Sequence, residues 1–350
     1  MIDKIKSYVN LKKFKDAIEI PAAASVELFE LARGEYNANY LFEHPISGKK
    51  LVFRLNTASQ MHLSNQIGYE YNALKLLENS GRTPKALYVD GSLEHLDYGV
   101  LVMEFLPGRH LRYDTDMDKA ANILADIHAV SVTEDCGLIT PENPPAAMLD
   151  ECESMAEIYY KSELCDMKIK KKIEAMLHKG KKLADSYRYC GVGNYKCIVN
   201  TELNSNNFLI EENTKTETGE NLSRDCGYKA DCLVDWEKPI LGDPAQDIGH
   251  FLAPTTTFWK TDVILGKNEM NEFVRRYKKQ TAGRFETYGI EERVNIFVPI
   301  NCLRGITWSA MAFVEYNRPD RPIKNEYTFN KICSYLKSEF LEVIDEEFLE

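Results

Sequence analysis

The sequence predicts an α+β chain in two parts: a small sheet-rich segment over residues 1–107, then a larger and mostly helical one over 108–350. Three observations carry this. Short runs with strand character cluster early, at Leu31–Phe42, Lys50–Leu55, Ala86–Val89 and Tyr98–Leu106. Pro107-Gly108 breaks the last of them. Beyond that break, most apolar residues recur at helical spacing.

The 350 residues, 44% of them apolar, suffice for a sizeable core in one two-lobed domain or two domains. Residues 1–30 read as a helical N-terminal segment, with Tyr8, Leu11, Phe14 and Ile18 at helical spacing. Leu31–Phe42 reads as strand, turn, strand. Backbone N–H groups of a small-residue turn at Gly34 suit phosphate oxygens. One glycine falls short of Gly-x-Gly-x-x-Gly, however, and an ordinary hairpin reads equally well. Lys50–Leu55 alternates and carries one cation, Arg54. The helix expected over about Met61 to Asn79 contains Glu70, and Thr83-Pro84 closes that region before the next strands.

The second part opens on a helix over Asp118–Val130. Its His128 reads as a packed structural histidine, since no partner motif surrounds it. Proline-rich residues 137–147 read as loop, and a helical stretch covers 149–188. There Lys168, Lys170, Lys171 and Lys172 read as a solvated face. The chain after Gly249-His250 reads as helical, with helices over Asn271–Lys279 and Asn301–Tyr316. The last thirteen residues hold six acids and no base, and Phe340, Ile344 and Phe348 recur every fourth residue. That predicts an amphipathic terminal helix with an acidic outer face.

A formal net charge of −11 argues against nucleic acid or an anionic membrane surface as the main partner. It is compatible with a cationic small substrate, although simple solubility is the plainer reading of the charge. No apolar run approaches the ~20 residues that span a bilayer. Met1–Lys6 lacks the apolar core of a secretion signal. Nine cysteines lie scattered without a Cys-x-x-Cys pair, and the nearest two, Cys226 and Cys232, have no flanking histidine. An odd count in that context predicts free thiols in a reducing cytoplasm.

Two central stretches concentrate the chemistry. Val199–Ile210 carries Glu202 and, five residues on, Asn207; Cys232–Glu237 places Asp235 after a short apolar run. A carboxylate near an attacking hydroxyl, with a carboxamide and a second carboxylate for a hard cation such as Mg²⁺, suits phosphoryl transfer. Asn and Asp also populate ordinary turns, so order and spacing carry the reading. Polar residues 211–231 lie between the two stretches and are too many for a hairpin loop, which predicts an extended insertion at the edge of the site.

These stretches resemble the catalytic loop and metal-binding strand of the aminoglycoside phosphotransferase and choline kinase family, whose fold is two-lobed and protein-kinase-like. That family typically reads His-Gly-Asp-x-x-x-x-Asn, then Ile-Asp-Trp-Glu and Gly-Asp-Pro-x-x-Asp. Val234-Asp235-Trp236-Glu237 and Gly242-Asp243-Pro244-Ala245-Gln246-Asp247 match, and Ile123–His128 matches the family's Leu-Ala-x-Leu-His helix. Asn200-Thr201-Glu202 stands where His-Gly-Asp is usual. The resemblance implies Mg²⁺-dependent transfer of the γ-phosphate of ATP or GTP to a small-molecule hydroxyl. Residues 1–107 become the nucleotide-binding lobe, and 108–350 the catalytic and acceptor-binding lobe. Glu202 takes the place of the catalytic aspartate, and Asn207 and Asp235 that of the metal ligands. Arg54 paired with Glu70 meets the phosphates, Gly34 marks the hairpin over them, and Glu104 to Leu106 form the hinge that reads the nucleobase. Asp247 braces the catalytic loop, while Asp243 is either a brace or a turn residue. Acceptor groups come from the late helices, where Trp259, Trp308 and Tyr316 are candidates for stacking or else core. The departure at 200–202 keeps an alternative open: a catalytically impaired pseudokinase serving as a nucleotide-binding or scaffolding module.

Overall fold

The computed structural model describes residues 2–34, 36–59, 61–189, 195–212, 231–319 and 325–349. The chain divides into two compact units. The first comprises Met1–Leu111, Asp126–Ile139 and Asn207–Ile240; the second comprises Arg112–Ala125, Thr140–Asn206 and Leu241–Glu350.

The N-terminal segment forms two short helices, α1 (Ile2–Tyr8) and α2 (Lys12–Ala17), and residues 18–28 are not helical, in contrast to the continuous helix expected to residue 30. Glu19 in the left-handed region (φ 60°) and Pro21 stop it. Phe14, fully buried, meets Phe53 and Tyr88 edge-on at ring separations of 5.9 and 5.4 Å. Strands β1 (Phe29–Arg33), β2 (Asn37–Glu43) and β3 (Lys50–Asn56) are followed by helix α3 (Gln66–Leu77) and strands β4 (Ala86–Asp90) and β5 (Gly99–Glu104). The strands form one antiparallel sheet in the order β1-β2-β3-β5-β4. β3 is central and buried at five consecutive positions, Leu51 to Leu55. Its Arg54 faces Asn39 on one neighbour and Leu101 on the other. α3 starts later than the Met61 expected, because Asn65 caps it by accepting the Gly68 N–H at 3.0 Å.

Strand β6 (Arg109–His110) precedes helices α4 (Met117–His128), α5 (Pro144–Tyr160) and α6 (Met167–Ser186). α5 begins inside the proline-rich stretch expected to be loop. Asn143 caps it, accepting the Ala146 N–H, and prolines in the first turn sit where no backbone donor is needed. The expected 149–188 helix is interrupted after Tyr160. Asp166 starts α6 by accepting the N–H groups of Lys168 and Ile169 at 2.7 and 3.3 Å.

Strands β7 (Cys197–Val199), β8 (Phe208–Ile210), β9 (Cys232–Leu233) and β10 (Ile240–Gly242) complete the strand set. β10 pairs with β7, while β6, β8 and β9 form a small sheet in that order within the first unit. Residues 213–230 of the insertion expected over 211–231 lie outside the described residues.

Helices α7 (Pro244–Leu252), α8 (Pro254–Lys260), α9 (Lys267–Thr281), α10 (Ile290–Tyr316), α11 (Glu326–Tyr335) and α12 (Ser338–Phe348) follow. α10 is the core of the second unit. By length and composition it is long and apolar enough to cross a bilayer, in contrast to the expectation of no such run, but most of its apolar stretch is buried in the protein. α12 is the amphipathic acidic helix expected. Its Asp345 takes Lys172 and Lys179 of α6 at 3.2 and 2.8 Å, so part of the basic face docks the terminal helix instead of meeting only water. Trp259 and Trp308 meet edge-on at 5.3 Å and, with Tyr316 and Phe329, build a satellite core. Cys136, Cys152, Cys165, Cys197, Cys302 and Cys333 carry free thiols.

Candidate active site

In the first unit the polar centre is Arg54. Its Nε donates to Asn39 Oδ1 at 2.9 Å, its Nη1 to Glu70 Oε1 at 2.5 Å and its Nη2 to Asp235 Oδ1 at 3.1 Å. The Arg54 and Glu70 side chains are 7% and 2% exposed. Burial by itself disfavours the guanidinium charge, but the Glu70, Asp235 and Glu237 carboxylates outweigh it and hold Arg54 above its ordinary value. Burial pushes the Glu70 carboxyl up to about 7, the Arg54 charge offsetting only part of the desolvation. Glu70 Oε2 is buried without a hydrogen-bond partner among the described residues.

Asp235 follows β9 in the left-handed region (φ 67°) and its side chain is one-third exposed. Buried Trp236 locks this turn by donating its indole N–H to the Leu233 carbonyl at 3.2 Å. Glu237 is held by the Asn37 amide, and its carbonyl accepts from Gln66 Nε2 at 2.6 Å. Asn207 immediately precedes β8, and the Val234 N–H donates to its carbonyl at 2.9 Å. The β8–β9 pairing, with Phe208 opposite Leu233, therefore carries Asn207 and Asp235 at one end of the same small sheet. One carboxylate and one carboxamide, both hard oxygen donors, fit Mg²⁺, which takes few protein ligands and fills its shell with water and phosphate oxygens. Among the described residues no group of three or more His, Cys, Asp or Glu is arranged to hold a metal.

Gly34 donates its N–H to the Asn37 carbonyl at 2.9 Å and so closes the β1–β2 hairpin. A Cβ there would meet only Asn37 O, at 3.8 Å, so nothing in the fold demands glycine at this position. Glu104 ends β5 with its N–H on the Lys85 carbonyl at 3.0 Å, and Leu106 is buried. Glu104 Oε2 is likewise buried without a hydrogen-bond partner among the described residues. No hydrogen bond or ion pair joins Gly34, Glu104 or Leu106 to the Arg54 group among the described residues.

In the second unit the loop after β7 carries Asn200, Thr201 and Glu202. Asn200 is fully buried and its Oδ1 accepts the Glu202 N–H at 3.0 Å. Asp247, in the first turn of α7 and fully buried, accepts the N–H groups of Asn200 and Thr201, each at 2.8 Å, which is the bracing role the family resemblance implies. The Leu203 N–H donates to His250 Nδ1 at 3.0 Å. Thr201 has φ 69°. A β-branched residue in the left-handed region is strained, and this is the place where the family usually has glycine. Asp243 is both turn residue and brace: it caps α7 through the Ala245 N–H at 2.9 Å, and it accepts from Arg293 Nε at 2.6 Å and the Tyr187 hydroxyl at 2.8 Å. His128 is fully buried, as expected of a packed histidine.

Sequence reading missed Arg304 of α10. Its Nη1 donates to the Thr201 carbonyl at 3.3 Å, its Nε and Nη2 reach the two Glu151 oxygens at 2.9 and 3.4 Å, and its Nη2 lies 3.8 Å from Glu202 Oε1. Burial works against its charge, but Glu151 and Glu202 hold it above its ordinary value. The signal was present: Arg304 is the only charged residue between Val294 and Val314. A charge in so apolar a run needs partners.

Residues 28–286 match the model of the phosphotransferase enzyme family, APH. No curated protein matches the sequence. Among solved structures, choline kinase from Cryptosporidium parvum shares 15% identity at a TM-score of 0.63, covering 100% of this chain and 98% of that one. Plasmodium vivax ethanolamine kinase shares 16% at 0.60, covering 96% and 88%. Spectinomycin phosphotransferase in complex with ADP and spectinomycin shares 12% at 0.57, covering 93% and 94%. At such identities the likeness establishes the fold, α+β and protein-kinase-like. The family model spans well over half of the sequence, and the chain belongs to the phosphotransferase enzyme family.

Proposed function

We propose that this protein moves the γ-phosphate of ATP or GTP to a hydroxyl of a small molecule, with Mg²⁺ as cofactor. The observation that carries the reading is the single guanidinium of Arg54 joined at once to Glu70 of α3 and to Asp235 after β9. Kinases use such a cation to neutralise phosphate charge and to register the metal-binding aspartate. The family match and the kinase-like fold support a small-molecule phosphotransferase. That one neighbour was solved with ADP supports a nucleotide co-substrate.

In this reading residues 1–107 form the nucleotide-binding lobe and 108–350 the catalytic and acceptor-binding lobe. The Gly34 hairpin offers backbone N–H groups to the phosphates, and backbone groups from Glu104 to Leu106 read the base. Asn207 and Asp235 would hold Mg²⁺, which would supply positive charge to neutralise the phosphates. Glu202 accepts or orients the acceptor's proton. Glutamate reaches ~1.3 Å further than aspartate, and a misplacement near 1 Å costs roughly 100-fold in rate. The Asp247 brace and the Arg304 contacts meet that demand by seating the loop, which disfavours the pseudokinase alternative. The acceptor is a small molecule; the charge of −11 suits a cationic one.

The experiment pairs Asp235→Asn with Glu202→Gln and follows ADP release from MgATP in the presence of pooled alcohols: aminoglycosides, choline-like amines, sugars and homoserine. Asp235→Asn abolishes Mg²⁺-dependent thermal stabilisation by ATP, whereas Glu202→Gln keeps it and slows turnover. Undiminished turnover in Glu202→Gln removes it as base, and undiminished stabilisation in Asp235→Asn removes that residue from the metal site.

A further inference from the structure

The Arg304 side chain is 15% exposed and lies among Glu151 of α5, Glu202 and the backbone of Thr201. Its fork holds Glu151 through both carboxylate oxygens, which fixes the plane of the guanidinium. A third donor points at the loop: Nη1 takes the carbonyl of Thr201, the one loop residue held in a left-handed conformation without being glycine. The next side chain in the chain is Glu202, with its Oε1 3.8 Å from Nη2. One cation therefore reaches two of the three departures from the usual loop, the threonine in place of glycine and the longer glutamate in place of aspartate. Asp247 restrains the same loop through the N–H groups of Asn200 and Thr201, and Arg304 adds a restraint on the carbonyl and carboxylate side.

We propose that Arg304, clamped by Glu151, is a positioning residue that seats the strained Thr201 backbone and aims the Glu202 carboxylate. This rests on the assignment of Glu202 as base and specifies what makes a glutamate serviceable there. Arg304 acts through Glu202: three of its five donors are held by Glu151 and the Thr201 carbonyl, which fixes the guanidinium beside the Glu202 carboxylate.

The test is a double-mutant cycle with Arg304→Gln and Glu202→Gln. It reads ADP release from MgATP with an equimolar mixture of choline, ethanolamine, homoserine and spectinomycin. Arg304→Gln lowers kcat at least tenfold and leaves the KM for MgATP within twofold; in the Glu202→Gln background the same change has no further effect. Glu151→Gln, at a partly exposed position, lowers kcat several-fold without loss of folding and serves if Arg304→Gln does not fold. Equal losses from Arg304→Gln in both backgrounds, or full activity in Glu151→Gln, overturn the proposal alone. Absence of any turnover by the unaltered protein overturns it together with the phosphotransferase reading.

Discussion

Arg54 Nη2 lies 3.1 Å from Asp235 Oδ1, although 181 residues separate the two in sequence. The same guanidinium holds Glu70, so a single side chain ties the central strand, a helix and the turn after β9. Removing it strands a buried carboxylate, and breaking a buried pair costs about 3–5 kcal/mol. Arg54→Met is therefore expected to destabilise the protein by about that amount, and Arg54→Met with Glu70→Leu to recover much of it. Urea denaturation measures both; equal losses in the single and the double variant would contradict this account.

Asp247 accepts two backbone N–H groups from inside the protein. Hydrogen bonds to a charged acceptor contribute about 1.5–3 kcal/mol each, so Asp247→Ala should lose roughly 3 kcal/mol or more, with Asp247→Asn intermediate. Amide exchange at Asn200 and Thr201 reports the loss directly, and unchanged protection there would show that Asp247 is no brace.

Asp90 anchors α1 to the sheet. Burial alone would raise its pKa, but hydrogen bonds from the Ser92 backbone and side chain and from the Tyr8 hydroxyl, with Lys13 nearby, hold it at about 2 against an ordinary 3.8. Between those values the unfolded chain binds more protons than the native one, so this contribution is complete above pH 3.8 and vanishes as pH falls through 2. Asp90→Asn should lower stability near neutral pH by about 1–2 kcal/mol. The difference from the unaltered protein should close in strong acid. Denaturation curves across pH that stay parallel would disprove it.

Gly249 of α7 packs against α10 so closely that an added Cβ would lie 2.4 Å from Phe297 Cβ and 2.9 Å from the Phe297 backbone carbon. Backbone cannot swing aside, so Gly249→Ala should cost about 1–3 kcal/mol through overpacking. A melting temperature equal to or above that of the unaltered protein would refute this.

Much of the site was legible because its residues sit where backbone rules act locally. Asp235 after an apolar run follows from spacing along a few residues, whereas Asp247 as a brace comes only with the family resemblance, and the resemblance leaves Asp243 between brace and turn residue. The acidic terminal helix is legible because period and burial go together there, whereas the alternation read in Lys50–Leu55 gives way to five consecutive buried positions, since β3 is central in the sheet. Helix boundaries were less legible, since α5 starts at Pro144 and α6 at Met167 through side-chain caps from Asn143 and Asp166 that compete with ordinary turn chemistry.

The sequence by itself determined the two-part α+β organisation, the order of the phosphate-transfer motifs and hence the family. Only the tertiary structure decided which distant side chains share a charge. Arg54 with Asp235 and Arg304 with Glu151 and Thr201 are chosen by how strands and helices pack, and no periodicity along the chain encodes that choice. The reason is physical: a buried guanidinium must find acceptors for its five donors, and which ones it finds is fixed by three-dimensional proximity alone.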